Sequence, residues 1–146
     1  MGTWLYALGE RGGYRDFDRQ GTRWDVSAEA FKRLIQEDRY PKPMDWAIHS
    51  GFRKADQGDE LYVYGGKNVG VIGKGVIRDV YQRATEEDDR WAVRWDLDAE
   101  RTRTLLARPF PANEVLGWIR MPVPALVPVP TELAERIDEW LRSDPS

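Results

Sequence analysis

The sequence contains no cysteine and only one histidine, His49, among its 146 residues. Without cysteine the chain has no disulfide, no thiolate zinc site and no cysteine nucleophile. A single histidine also excludes a metal site built from several histidines, and it leaves no second base for a serine-histidine arrangement. The glycines at 65–66 and 70–75 also lack the spacing of a phosphate loop or a dinucleotide fingerprint, so we expect no metal and no cofactor.

Long apolar runs are absent as well. No stretch approaches the roughly 20 consecutive apolar residues of a membrane-spanning helix. The amino terminus, Met1-Gly2-Thr3-Trp4, lacks the basic region and apolar core of a secretory signal. We therefore expect a cytoplasmic protein with no membrane partner. The net charge of −3 argues against non-specific coating of nucleic acid, because that mode of binding needs many Lys and Arg contacts with phosphates.

The length and pattern of the chain predict one domain that spans residues 1–146. A domain of this size buries roughly 70% of the surface that its unfolded chain exposes, so it needs no disulfide or metal for stability. No internal repeat and no linker interrupts the sequence.

The clearest local pattern is a β-hairpin between Gly58 and Ile77. In its first strand, apolar Leu61 and Val63 alternate with Tyr62 and Tyr64, as in a strand whose two faces differ. The segment 65–68 supplies glycine and asparagine for a turn, and a second strand starts at Val69. Glycines at positions 70, 73 and 75 predict a sheet that bends sharply or that another group approaches closely.

The remaining patterns predict an α+β domain with five or six strands in a small curled sheet or barrel, flanked by helices. Ser27 is the predicted N-cap of a helix over about residues 28–37, and Thr131 is the predicted N-cap of an amphipathic terminal helix. Prolines restrict residues 122–130 to an edge strand or an extended strap. The other predicted elements are a strand at 4–8, an extended segment at 44–50, strands at 91–96 and 103–107, and a helical turn at 112–118.

The chain is rich in tryptophan and tyrosine, which stack on flat bases. Each good stack contributes roughly 1–3 kcal/mol to nucleic-acid binding. Ser50 or Asn68 can then read the edge of such a base. The alternative is that these aromatics form an ordinary core. The members of the predicted cage are Trp24, Trp46, Tyr62, Tyr64 and Trp118.

Two segments of the hairpin carry a resemblance to a known family. The segment 58–64, GDELYVY, is followed by the segment 70–76, GVIGKGV. Together they resemble the G-D-x-hydrophobic-x-x-Tyr and G-hydrophobic-hydrophobic-G-x-G-x-Val motifs of EVE domains, in the PUA-like superfamily. The order of elements agrees with this resemblance along nearly the whole chain.

The resemblance implies a small PUA-like β-barrel and a non-enzymatic module that holds a nucleobase of DNA or RNA. Family members often bind a modified base, such as methylated or hydroxymethylated cytosine, in an aromatic pocket, and they act beside a nuclease or ATPase. The pocket residues that the resemblance and the aromatic pattern nominate are Trp46, His49, Ser50, Tyr64, Gly65, Trp24 and Trp118. The phosphate contacts are assigned to the basic residues Arg53, Lys54 and Lys67.

Two other functions compete with this interpretation. His49, with Lys67 or a carboxylate, is a candidate general base for a small PUA-like nuclease or hydrolase. The alternative role for His49 is packing or hydrogen bonding at the end of a strand. The proline-rich segment 122–130 is a candidate surface for a protein partner.

Overall fold

A computed structural model of the chain describes residues 2–8, 15–17, 23–25, 27–48, 55–82, 91–117 and 125–143. The strands are β1 (Thr3–Ala7), β2 (Arg15–Phe17), β3 (Arg23–Asp25), β4 (Met44–Ile48), β5 (Glu60–Tyr64), β6 (Val71–Gln82), β7 (Trp91–Leu97) and β8 (Ala125–Pro128). The helices are α1 (Ala28–Gln36), α2 (Ala99–Ala107), α3 (Ala112–Leu116) and α4 (Thr131–Arg142).

Six of these strands form one mixed sheet in the order β4-β7-β6-β5-β1-β8. Strands β1 and β5 are parallel, and the other neighbours are antiparallel. Strands β2 and β3 pair separately. The predicted α+β class and the terminal helix are therefore confirmed. The sheet is not closed into a barrel, because β4 and β8 are its two edges.

The sheet is strongly curled. Tyr6 of β1 and Trp46 of β4 have ring centroids only 4.9 Å apart, although β5, β6 and β7 separate these strands in the sheet. The Tyr6 hydroxyl also donates a hydrogen bond to the carbonyl of Ala47. Side chains thus bridge strands that no backbone ladder connects, and the predicted curl is confirmed.

The glycines of β6 make room for large aromatic side chains. A Cβ at Gly73 would lie 2.9 Å from the ring of Phe31, and one at Gly75 would lie 2.3 Å from the ring of Trp95. Real Cβ atoms do not approach other atoms so closely, so only glycine lets these rings pack against the strand. This confirms the predicted close approach.

Each face of the sheet carries its own apolar core. Trp4 and Tyr6 pack on one face with α1, whereas Leu5 packs on the other face with α3 and α4. The alternation in β5 follows the same rule, because Leu61 and Val63 join the first core while Tyr62 and Tyr64 join the second.

Side-chain caps start α1 and α2, whereas the predicted cap at Thr131 is wrong, because Pro130 is at the N-cap position of α4 and no side chain caps that helix. The Ser27 side chain accepts a hydrogen bond from the Ala30 amide at 3.1 Å, which confirms the predicted start of α1. The predicted strand at 103–107 is wrong, because those residues lie in α2. Asp98 caps α2 by accepting from the Arg101 amide at 3.1 Å. No helix in the described ranges is both long and apolar enough to span a membrane.

The edge strand β8 confirms the expectation for residues 125–128 of the proline-rich segment, and residues 122–124 lie outside the described residues. The Val129 amide donates to the Thr3 carbonyl at 2.8 Å, so the position opposite Trp4 is a non-hydrogen-bonded pair. Pro128 occupies that position, where a backbone N–H would point away from the sheet. Proline therefore removes an outward donor that another strand could use.

Candidate functional site

Two of the predicted pocket segments meet at the carboxyl end of β1. The Leu8 amide donates to the Tyr64 carbonyl at 2.8 Å. Tyr6, nearby in β1, contacts the ring of Trp46 in the middle of β4 and the carbonyl of the next residue, Ala47. The segments that contain Trp46 and Tyr64 therefore converge on one end of one strand.

The start of α1 joins this region through Gly65. A Cβ at Gly65 would lie 3.1 Å from the Cβ of Ala28 and 2.8 Å from the side chain of Val69. Gly65 is thus required by close packing against the first turn of the helix. We call the region formed by Leu8, Ala28, residues 47–48 and residues 64–65 the β1 rim.

The turn that follows Gly65 is closed by its own backbone. The Gly65 amide donates to the Gly70 carbonyl at 2.8 Å, and the Gly70 amide donates to the Gly66 carbonyl at 2.9 Å. Gly66 and Gly70 have φ values of 106° and 96°, which side-chain-bearing residues rarely adopt. This turn holds Lys67 exposed beside the β1 rim.

The rings of Trp46 and Tyr64 do not face each other. Trp46 is 2% exposed and packs edge-on against Phe31 and Trp95, with centroids 5.6 and 4.9 Å away. Tyr64 is 4% exposed and lies in the core of the opposite face. Both rings therefore support the β1 rim from within the core, and they do not share a pocket wall.

The other nominated residues are placed only in part. Lys67 is exposed, and Gly65 is buried at the β1 rim. Trp24 belongs to β3, which ends shortly before the cap of α1, but its side chain lies outside the described part of the molecule. The predictions for His49, Ser50, Arg53, Lys54 and Trp118 fall outside the described residues.

Asp59, in the Gly-Asp pair of the hairpin, has a structural role that the sequence did not reveal. Its buried carboxylate accepts hydrogen bonds from the Gly2 amide, the Trp4 indole and the Asp56 amide, each at 2.9 Å. Burial raises the pKa of Asp59, but the hydrogen bonds from Asp56, Gly2 and Trp4 outweigh it, so the pKa is lowered. Asp59 therefore fixes the start of β1 against the turn before β5.

No protein family, curated protein or solved structure matches this chain. The EVE-like motif accordingly remains a resemblance of residues and of element order.

A second buried polar group lies beneath α4. The ammonium of Lys74 lies 3.1 Å from the Asp138 carboxylate and 3.6 Å from that of Glu60. The Tyr62 hydroxyl donates to Asp138. Burial and this neighbouring carboxylate raise the pKa of Tyr62 far above its ordinary value, so the phenol stays protonated. These contacts fasten α4 to the sheet, and they use Tyr62, another member of the predicted aromatic cage.

Metal ligation finds no support in the part of the chain that the structure describes. No three His, Asp or Glu side chains come together there in a way that could hold an ion. What the described residues assemble at the β1 rim is buried backbone from four elements, β1, α1, β4 and β5, with the exposed Lys67 beside it.

Proposed function

We propose that this chain is a non-enzymatic, EVE-like module of the PUA-like type that binds DNA or RNA and reads one nucleobase. The base is a modified one, such as methylated or hydroxymethylated cytosine. One observation carries the proposal, namely that the segments around Trp46 and Tyr64 converge on the carboxyl end of β1. These are the two segments to which the family resemblance assigns the pocket.

The curled sheet supports the same proposal. The hydrogen bond from Tyr6 to Ala47 brings β4 next to β1, and His49 and Ser50 follow the last residue of β4 in the sequence. The order of elements also follows the resemblance, with α1 before Trp46 and β7 after the glycine hairpin.

The packing of the aromatic side chains determines which groups are available to contact a nucleobase. Trp46, Tyr64 and the other residues of the β1 rim are all buried, so we assign the base contacts to Trp24, His49, Ser50 and Trp118. Extruding a base from its stack costs a few kcal/mol, which stacking and edge hydrogen bonds must offset. Lys67, with Arg53 and Lys54, supplies the phosphate contacts.

Fluorescence anisotropy with labelled oligonucleotides tests this proposal. DNA and RNA strands that carry one cytosine, methylated cytosine or hydroxymethylated cytosine are titrated across a salt series. We expect tighter binding of one modified form, and we expect His49→Ala to change this preference. Lys67→Gln is the matched control, because loss of a phosphate contact weakens all oligonucleotides alike and lowers the salt slope by about 1.

Equal affinity for modified and unmodified strands contradicts the proposal. Trp46→Ala is not a usable probe of the pocket, because truncation of this buried ring disrupts the core beneath the β1 rim.

A further inference from the structure

A cleft of about 330 Å³ lies on the sheet outside the β1 rim. It is lined by Pro43, Gln57, Arg78, Asp79 and Arg94. The two arginines come from neighbouring strands, β6 and β7, so their guanidinium groups enter one cleft from adjacent backbones.

Arg94 is held rigidly. Its Nε and Nη2 donate to the two carboxylate oxygens of Asp79 at 2.8 and 2.6 Å, and its guanidinium lies 4.2 Å from the ring centroid of Tyr81. The Tyr81 hydroxyl in turn donates to Asp45. Among the described residues, the Nη1 group of Arg94 has no hydrogen-bond partner, so its position is fixed by contacts that leave this donor unused.

Arg78 is directed into the cleft by an irregularity of β6. The register between β6 and β7 shifts between Ile77 and Asp79, and Arg78 is the residue at the shift. Its Nε donates to Asp96 at 2.7 Å, whereas Nη1 and Nη2 have no partner in the described part of the chain. A guanidinium presents parallel N–H groups that match an oxyanion, and no described residue accepts from this terminal edge of Arg78.

The charge of the cleft decides what kind of ligand it takes. Asp79 and Asp96 each offset one arginine, so no net positive charge attracts a free ion from a distance. Recognition depends instead on the unused guanidinium donors and on the exposed amide of Gln57. Such a site suits a phosphate that is delivered by contacts elsewhere on the same ligand.

We propose that this cleft is an oxyanion site that binds a phosphate group through Arg78, Arg94 and Gln57. As a site for a backbone phosphate of DNA or RNA, it rests on the proposed function; inorganic phosphate shares the same chemistry. None of its residues belongs to the predicted phosphate contacts Arg53, Lys54 and Lys67.

The salt dependence of oligonucleotide binding tests the nucleic-acid source. Each phosphate contact contributes about 0.9 to the slope of log K against log salt for duplex DNA. Arg78→Gln should lower the slope by about that amount and leave the preference between modified and unmodified bases unchanged. Arg136→Gln is the matched control, since Arg136 is 55% exposed beside Glu114 and Arg78 is 56% exposed beside Asp96.

A second arm tests the free ion. The side-chain Nε–H NMR signals of Arg78 and Arg94 are followed as inorganic phosphate is added, with sodium chloride of equal ionic strength as the control. Shifts specific to phosphate support the site even if no oligonucleotide binds and the proposed function fails. If Arg78→Gln lowers the salt slope but inorganic phosphate moves no Nε–H signal, the site binds the phosphodiester of a nucleic acid. If phosphate moves these signals but the salt slope is unchanged, the site binds free phosphate. An unchanged slope together with unmoved signals overturns the inference.

Discussion

Asp59 offers the sharpest test of how this fold is held together. We expect Asp59→Asn to destabilise the protein at pH 7, although the two side chains have nearly the same shape. One carboxylate oxygen accepts from the Gly2 amide, and the other accepts from both the Trp4 indole and the Asp56 amide. An asparagine amide can keep only one side of this arrangement, because its NH₂ group cannot accept.

The expected loss follows from the contacts. Hydrogen bonds to a charged group contribute about 1.5–3 kcal/mol each, and neutral ones about 0.5–1.5 kcal/mol. The variant loses one of the three bonds and converts the other two to neutral ones, at about 1–1.5 kcal/mol each, so the free energy of unfolding should fall by roughly 3.5–6 kcal/mol. Asp38→Asn is the matched control, because Asp38 is exposed and lies 3.7 Å from Arg103. Its substitution should change stability by less than about 0.5 kcal/mol.

The pH dependence of the stability difference provides a second test of this prediction. The pKa of Asp59 is lowered below its ordinary value of 3.8 in the folded state, so its contribution is fully present above that value. The contribution is lost as the pH falls through the folded-state pKa. Urea denaturation followed by circular dichroism should therefore show a large difference between wild type and Asp59→Asn at pH 7, and a shrinking difference as the pH falls below 3.8. Equal stability at pH 7 would refute the reasoning.

Three further substitutions test the packing. Gly75→Ala places a Cβ 2.3 Å from the Asp96 carbonyl and from the Trp95 ring. This overpacking should lower the urea midpoint by the equivalent of about 1–3 kcal/mol, and an unchanged midpoint would contradict the close contact. Trp46→Ala should lower the free energy of unfolding by about 3–5 kcal/mol in the same assay, because the ring is buried among Tyr6, Phe31 and Trp95. A decrease below about 1 kcal/mol would place the ring outside the core. Asp138→Asn removes the nearer of the two carboxylates beside Lys74 and leaves Glu60, so it should increase hydrogen exchange in α4 before the sheet opens. Uniform exchange would show that this contact does not fasten the helix.

Much of the sheet was predictable because its signals are local. The alternation of Leu61 and Val63 with Tyr62 and Tyr64 correctly assigned the two faces of β5, since side chains alternate along any strand. Ser27 likewise revealed the start of α1, because a cap bonds within its own first turn.

Features that depend on pairing between distant segments were not predictable. Trp46 and Tyr64 are both aromatic residues of strands, but only the tertiary packing shows that their rings lie in the cores of opposite faces. The cleft also escaped prediction, because the shift at Arg78 is visible only in the pairing of β6 with β7. The strand predicted at 103–107 failed because the cap at Asp98 outweighs the β propensity of threonine.

The most direct test of base reading at the β1 rim is an NMR titration of the ¹⁵N-labelled protein. Oligonucleotides with one methylated, hydroxymethylated or unmodified cytosine are added, and the backbone amide shifts are mapped. We predict that the amides of Leu8, Ala28, Ile48 and Gly65 shift, and that one modified strand saturates them at the lowest concentration. Unmoved rim amides, or shifts confined to α4, would contradict the account.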